Sequence, residues 1–136
     1  MVEVLLITEL TFAAAHYLPN HTKCGCIHGH TYFLRNLRIE CKDFVDFGDI
    51  KANVMLYDHT FLIPHKHALA WRAIAQEYFG KLGIRSKFVE IDGSPTVENL
   101  KMVIKVTLKA INGVTRVSFD LFEGPIQGVE CRAGDS

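Results

Sequence analysis

The triplet His28-Gly29-His30 opens an alternating segment and restricts the possible fold more than any other feature of the chain. From about His28 to Cys41, apolar residues such as Leu37 and Ile39 alternate with charged ones, which predicts a β-strand. Successive side chains on a strand point to opposite faces, so the two histidines share one face. Two imidazoles on one face make half of a zinc site.

A preceding strand is predicted from Val2 to His16, followed by a turn-prone loop over residues 17–27. If the two strands pair as a hairpin, His16 can reach His28 and His30. Three neutral imidazoles with an open fourth position are typical of catalytic zinc, whereas structural sites are closed by four protein ligands. The predicted metal ligands are therefore His16, His28 and His30.

Cys24 and Cys26 lie just before the triplet and leave two other interpretations open. Together with His28 and His30 they could close a four-ligand structural knuckle, although spacings of two are tighter than such knuckles use. They could also form a redox pair.

The rest of the chain predicts helices followed by two further strands, in one domain spanning residues 1–136. Helical patterns cover residues 46–59 and 68–82, and a third helix starts at a Thr96 cap and runs to about residue 112. Short strands are expected at 87–91, 114–122 and 129–132. The order, ββ then helices then ββ, indicates an α+β fold with an antiparallel sheet.

Composition narrows the classes of partner. The formal net charge is zero, and no run of Lys or Arg suggests a nucleic-acid or membrane surface. A small molecule or further copies of the chain are the expected partners. Four cysteines do not resemble a disulfide framework, and no apolar run approaches the ~20 residues of a membrane span, so a cytoplasmic location is expected.

A series of short motifs in a fixed order resembles the 6-pyruvoyltetrahydropterin synthase family, which includes the 6-carboxytetrahydropterin synthases of the queuosine pathway. The motifs are FAAAH (12–16), KCGCIHGHTY (23–32), VDFGDIK (45–51), YDH (57–59), PTVEN (95–99) and a strand ending at Glu123. The resemblance places the zinc ligands on the three histidines already chosen. It also implies Cys24 as a catalytic thiol, Asp58 and His59 as a proton relay, and Glu123 as the residue that binds the pterin.

The resemblance implies the tunnelling fold (T-fold), with a four-stranded antiparallel sheet and helices on one face. In that family three sheets join into a barrel and two trimers stack, so a homohexamer is expected. One departure follows Asp58-His59, where the family usually continues toward Leu-Asn and this chain has Thr60-Phe61-Leu62-Ile63.

The implied function is a zinc-dependent lyase that converts 7,8-dihydroneopterin triphosphate to 6-carboxy-5,6,7,8-tetrahydropterin, with loss of acetaldehyde and triphosphate. Three alternatives remain at this point: a 6-pyruvoyltetrahydropterin synthase acting on the same substrate, a pterin aldolase of the same fold, and a noncatalytic zinc-binding oligomeric module.

Overall fold

The computed structural model describes residues 3–124 and 128–129, the last two by their backbone. In chain order the elements are β1 (Glu3–His16), β2 (His28–Cys41), α1 (Phe47–Met55), β3 (Thr60–Pro64), α2 (Ala68–Ile74), β4 (Phe88–Ile91), α3 (Val97–Lys109), β5 (Val114–Glu123) and β6 (Gly128–Val129). The backbone after α2 stays helical, through a π turn at Ala75–Phe79 and a 3₁₀ turn at Gly80–Leu82.

One six-stranded sheet contains every described strand, in the order β4-β3-β1-β2-β5-β6. β1, β2, β5 and β6 pair antiparallel and form the four-stranded sheet that the sequence predicts. β3 pairs parallel with β1, and β4 pairs parallel with β3. The α+β class is confirmed, and the predicted antiparallel sheet is extended by a parallel pair on the β1 side.

The added strand β3 is the run Thr60–Pro64, where the sequence departs from the family pattern. It pairs with the end of β1 at two positions, Ala14 with Thr60 and Ala15 with Phe61. Its four consecutive apolar residues, 61–64, do not by themselves distinguish a strand from a helix, which is why periodicity did not identify this strand. The short edge strand expected at 87–91 is β4.

The main core lies between the sheet and the helices α1 and α3. Ile50 and Val54 of α1 and Ile104 of α3 are fully buried, in one cluster with inward side chains of the sheet such as Leu34. The predicted cap of α3 is confirmed, because the Thr96 hydroxyl accepts a hydrogen bond from the backbone N–H of Asn99.

The segment containing α2 packs elsewhere. Phe61 is aligned with Ala15, whose side chain points away from the face that carries Ala14 and His16. The Phe61 ring contacts Trp71 of α2, with ring centroids 4.8 Å apart. α2 therefore covers the opposite face of the sheet near β3, in contrast to the expectation that all helices lie on one face.

No helix in the described part of the chain is long and apolar enough to span a membrane. The predicted last strand, 129–132, overlaps β6 only at residue 129, and its other residues lie outside the described range.

Candidate active site

The hairpin of β1 and β2 brings the three predicted histidines together. His16 is the direct cross-strand partner of His28, and Ala14 is the partner of His30. The three imidazole rings meet edge to face, with centroids 4.6 to 5.0 Å apart. The spacing of two along β2 therefore produces the single cluster that the sequence predicts.

Glu123 joins this cluster from β5. It is the cross-strand partner of Tyr32, so its side chain lies on the same face as the histidines. Its Oε1 atom is 2.8 Å from His30 Nε2 and 3.1 Å from His16 Nε2. One ligand atom from each of the four residues lies within 4.8 Å of all the others.

Backbone carbonyls fix the orientation of two of the rings. His16 Nδ1 is 2.7 Å from the carbonyl oxygen of Pro95, and His28 Nδ1 is 2.7 Å from that of Cys26. A carbonyl only accepts, so each Nδ1 must carry a hydrogen and donate it. The two Nε2 atoms, 3.0 Å apart, then face each other with lone pairs when the rings are neutral.

This donor set fits a metal cation. The Nε2 lone pairs of two imidazoles and one carboxylate oxygen point at the same small space. These electron-rich atoms repel one another, so a shared cation or added protons must offset the repulsion. Neutral imidazole and ionised carboxylate are the forms that bind metals. A backbone carbonyl at the other ring nitrogen is a usual partner of zinc-binding histidines, and His16 and His28 both have one.

The electrostatics of the cluster favour the same protonation states. Burial lowers the pKa of His30, and His16 and His28 lower it further against the opposing effect of Glu123. The short contact with His16 Nε2 lowers the pKa of Glu123 against the effect of its burial. The cluster is therefore biased toward neutral His30 and ionised Glu123, as a metal requires.

Neither Cys24 nor Cys26 belongs to this ligand group in the described part of the chain. The cluster therefore differs from the four-ligand knuckle that the sequence left open. All three cysteines in the described residues are free thiols, so the structure also contains no Cys24–Cys26 disulfide.

Cys24 lies in a closed turn between β1 and β2. Its carbonyl accepts a hydrogen bond from the Leu18 N–H at 2.8 Å, and its own N–H donates to His21 Nδ1 at 3.0 Å. A Cβ atom at Gly25 would lie 2.5 Å from the His21 carbonyl oxygen, so this turn requires glycine. Cys24 is half-buried, and Cys26 is exposed.

Asp58 and His59 form the predicted pair. Asp58 Oδ2 is 2.8 Å from His59 Nδ1, while Asp58 Oδ1 accepts the backbone N–H of Ala13. The hydrogen bond from Ala13 is the main reason that the pKa of Asp58 is lowered, with His59 adding to it. His59 has a left-handed backbone, φ 57°, and its side chain is 83% exposed.

A cavity of about 510 Å³ adjoins these residues. Its lining consists of Ala13, Ala14, Ala15, Gly29, His30, Thr31, His59 and Thr60. One predicted metal ligand, His30, and the histidine of the predicted relay, His59, therefore line the same cavity. The alanines of the FAAAH motif form much of its floor. A Cβ at Gly29 would lie 3.8 Å from the Ala14 carbonyl oxygen, an ordinary contact. Glycine is therefore not sterically required here, but its lack of a side chain leaves more room in the cavity.

Sequence reasoning missed the groups around the ligands. Pro95 and Cys26 contribute only backbone carbonyls, which leave no residue-type signature. Tyr32 is fully buried, and its hydroxyl lies 3.4 Å from His16 Nδ1. The sequence did contain a signal for Tyr32. It lies two residues after His30 on an alternating strand, so its side chain is on the same face as the histidines. Burial raises the pKa of Tyr32, which keeps the phenol neutral.

Comparisons with known proteins agree with this geometry. The profile of the family described as 6-pyruvoyl tetrahydropterin synthase matches residues 6–134. An Archaeoglobus fulgidus protein, provisionally named 6-carboxy-5,6,7,8-tetrahydropterin synthase, is 34% identical over a 71-residue alignment. That alignment covers 44% of this chain and 59% of the relative, so the chain spans less than two thirds of the relative's length.

Solved structures of the Plasmodium enzymes share the fold. The Plasmodium vivax 6-pyruvoyltetrahydropterin synthase matches with a TM-score of 0.58 and 16% identity, covering 95% of this chain and 96% of that one. A variant of it changed at a catalytic residue matches with a TM-score of 0.59 and 18% identity over the same shares. The Plasmodium falciparum enzyme matches with a TM-score of 0.57 and 14% identity, covering 94% and 95%. With a profile match across almost its whole length, the chain belongs to the 6-pyruvoyl tetrahydropterin synthase family.

Proposed function

We propose that the protein is a zinc-dependent lyase that converts 7,8-dihydroneopterin triphosphate and one water molecule to 6-carboxy-5,6,7,8-tetrahydropterin, releasing acetaldehyde and triphosphate. The observation that carries the proposal is the convergence of His16, His28, His30 and Glu123 within 4.8 Å. The name of the Archaeoglobus fulgidus relative supports the 6-carboxy product.

His16, His28 and His30 would hold the zinc ion. The protons removed in this reaction are on carbons that carry hydroxyl groups and are very weakly acidic. Bound zinc supplies a Lewis acid toward the oxygens of the substrate side chain. The Nδ1–H groups of His16 and His28 stay committed to Pro95 and Cys26, so these rings keep the tautomer that binds metal through Nε2.

Cys24 is the proposed general base. The backbone of Cys24 is held at both ends, because its N–H donates to the His21 side chain and its carbonyl accepts from the Leu18 N–H. The thiol therefore has a fixed position on the loop that leads into β2. A free thiol has a pKa of about 8.5 and is weakly ionised at neutral pH, but a nearby cation favours the thiolate. Cys24 would accept a proton from a side-chain carbon of the substrate.

His59 is the proposed second acid–base group, and Asp58 orients it. The carboxylate of Asp58 receives Ala13 N–H on one oxygen and faces His59 Nδ1 on the other, which leaves Nε2 available to a substrate. Imidazole is the side chain best suited to exchange protons with a substrate hydroxyl near neutral pH.

Glu123 is proposed to bind the pterin ring. A carboxylate can accept hydrogen bonds from the ring's amino group and from a neighbouring ring N–H. Glu123 contacts His16 and His30 in the structure, and binding the pterin requires its carboxylate to turn from them toward the substrate.

The nearest alternative is 6-pyruvoyltetrahydropterin synthesis, which retains the substrate side chain. The family description and the names of the Plasmodium structures favour it. A noncatalytic zinc module predicts instead that the cysteines close the coordination sphere.

A homohexamer of two stacked trimers is the proposed assembly. The described sheet ends at β4 on one side and β6 on the other, and open sheet edges are commonly covered by association. Size-exclusion chromatography with light scattering should give six chains per particle, and a monomer would contradict this assembly.

The reaction is tested by product analysis. Zinc-loaded protein is incubated with 7,8-dihydroneopterin triphosphate under reducing, anaerobic conditions, and the products are identified by mass spectrometry with a parallel acetaldehyde assay. A 6-carboxytetrahydropterin mass with equimolar acetaldehyde supports the proposal. A pyruvoyl product without acetaldehyde assigns the alternative, and no turnover from folded, zinc-loaded protein rejects both.

A further inference from the structure

We propose that Asn99 is a positioning residue for the metal ligand His16, acting through the Ser94–Pro95 segment. This inference rests on the metal site of the proposed function. It assigns a role to the PTVEN motif, residues 95–99, which contributes no side chain to the ligand group found among the described residues.

The contacts form a short chain from α3 to the metal site. Asn99 lies in the first turn of α3, and its Nδ2 donates to the carbonyl oxygen of Ser94 at 2.8 Å. The next residue, Pro95, is buried, and its carbonyl oxygen accepts from His16 Nδ1 at 2.7 Å. His16 is only 1% exposed, so water has little access to replace this acceptor.

The orientation of the Pro95 carbonyl depends on the Ser94 carbonyl before it. That carbonyl accepts two hydrogen bonds, from Asn99 Nδ2 and from the Thr96 N–H, each at 2.8 Å. The proline ring fixes φ of Pro95. The Thr96 N–H lies in the same peptide plane as the Pro95 carbonyl, so its hydrogen bond to the Ser94 carbonyl restrains ψ and with it the direction of the Pro95 carbonyl. Asn99 also packs against Gly93, where an added Cβ would lie 3.2 Å from Nδ2.

The bond at Nδ1 decides whether His16 can bind a metal through Nε2. With Pro95 accepting at Nδ1, the hydrogen of the neutral ring stays there, and the Nε2 lone pair faces His28 and Glu123. Without Asn99, the Ser94 carbonyl loses one of its two donors, and the Pro95 carbonyl loses its fixed direction. His16 then samples the other tautomer and other ring orientations, both of which oppose metal binding.

Zinc affinity, measured by competition with a chromophoric chelator, tests the inference on three variants and the wild type. Asn99→Ala removes the donor. Asn99→Asp keeps the size, loses the donor, and places an acid in the first turn of α3, where it favours the helix. Asn53→Ala is the matched control, because Asn53 Nδ2 also donates to a backbone carbonyl, that of Asp49 in its own helix, at 2.8 Å.

We expect both Asn99 variants to bind zinc about 10-fold more weakly than the wild type, or more weakly still. This is the usual cost of losing a group that orients a metal ligand. The Asn53→Ala control should bind zinc as the wild type does. Added negative charge by itself favours a cation, so weaker binding by Asn99→Asp must come from the changed contact with the Ser94 carbonyl and not from charge. In metal-free protein, at a pH where the histidines are neutral, long-range ¹H–¹⁵N spectra should show the His16 proton on Nδ1 in the wild type. In the variants the proton should be shared between the two nitrogens.

The inference would be overturned if folded Asn99→Asp bound zinc as tightly as the wild type, or if the Asn99 variants lost no more zinc affinity than Asn53→Ala. Either result would leave the proposed metal site intact. Absence of zinc binding by the wild type would instead reject the metal site of the proposed function, and this inference with it. If Asn99→Ala does not fold, Asn99→Asp decides alone.

Discussion

The Asp58 carboxylate accepts a hydrogen bond from the backbone N–H of Ala13 at 2.9 Å, although the two residues are 45 positions apart in sequence. The carbonyl of Ala13 accepts the N–H of His59 at 2.6 Å. The backbone N–H and carbonyl of Ala13 are therefore both hydrogen-bonded, to Asp58 and His59 respectively. In sequence these two residues come just before β3, which pairs with β1. The predicted proton relay is attached to the strand that carries His16, one of the predicted metal ligands.

Asp58→Ala should lower the free energy of unfolding by about 1–2 kcal/mol, because it leaves the part-buried Ala13 N–H without its acceptor. Asp58→Asn retains an acceptor oxygen and should lose less. Urea unfolding of the metal-free proteins measures both values. Equal stability of Asp58→Ala and wild type would show that water replaces the carboxylate at no cost.

The contribution of Asp58 to stability should depend on pH. Its pKa is lowered in the folded state, so the contribution is fully present above the ordinary carboxyl pKa of about 3.9 and is lost as pH falls through the folded value. The stability difference between wild type and Asp58→Asn should therefore be largest near neutrality and shrink below about pH 4. Urea titrations from acidic to neutral pH, with chelator present, measure it. If the stability difference between wild type and Asp58→Asn stayed constant across that pH range, the lowered pKa of Asp58 would be contradicted.

His30→Ala should abolish tight zinc binding and turnover, because it removes one of three imidazoles on the shared face. Metal content after dialysis, measured by mass spectrometry, is the readout. His65→Ala is the control, since His65 pairs with Glu90 on the surface, outside the ligand group. Full zinc retention by His30→Ala would exclude His30 as a ligand.

Cys24→Ala should retain zinc and lower kcat by about 100-fold or more, the usual contribution of a positioned acid–base group. Cys26→Ala should keep both zinc and turnover, because the contact of Cys26 with His28 is made by its backbone carbonyl. Loss of zinc from both variants would instead support the structural knuckle and a noncatalytic module.

Glu123→Gln should raise KM for the pterin substrate while leaving zinc affinity within a few-fold of wild type. A glutamine amide has only one acceptor atom, so it cannot accept one hydrogen bond on each of two oxygens as a carboxylate does. Zinc affinity and KM are measured on the same preparation. A large loss of zinc with KM unchanged would make Glu123 a metal ligand rather than the pterin-binding residue.

The parts of the fold that follow strict local periodicity were predictable. The bounds of β2 match the sequence prediction, and the three-histidine cluster follows from the alternation of His28 and His30 together with the hairpin to His16. The Thr96 cap was predictable because the capping residue and the first turn are adjacent in sequence.

The remaining features depend on contacts that local patterns do not encode. β3 is a strand because it pairs in parallel with a partner far earlier in the chain, at Ala14 and Ala15. Glu123 was predicted as a site residue, but its contact with the imidazoles depends on the register of β5 against β2. Pro95 acts through a carbonyl, which every residue has, so only the folded structure distinguishes it.

The small residues of the cavity floor have a consequence for divergence within this hairpin. Ala13, Ala15 and Gly29 point to one face of the two strands, and the side chains of His16, His28 and His30 point to the other. Changes at the first set alter the room beside the strands, and changes at the second alter the predicted metal ligands. Odd and even positions of the same two strands can therefore vary separately, so that the width of the cavity can change while the predicted metal ligands are kept.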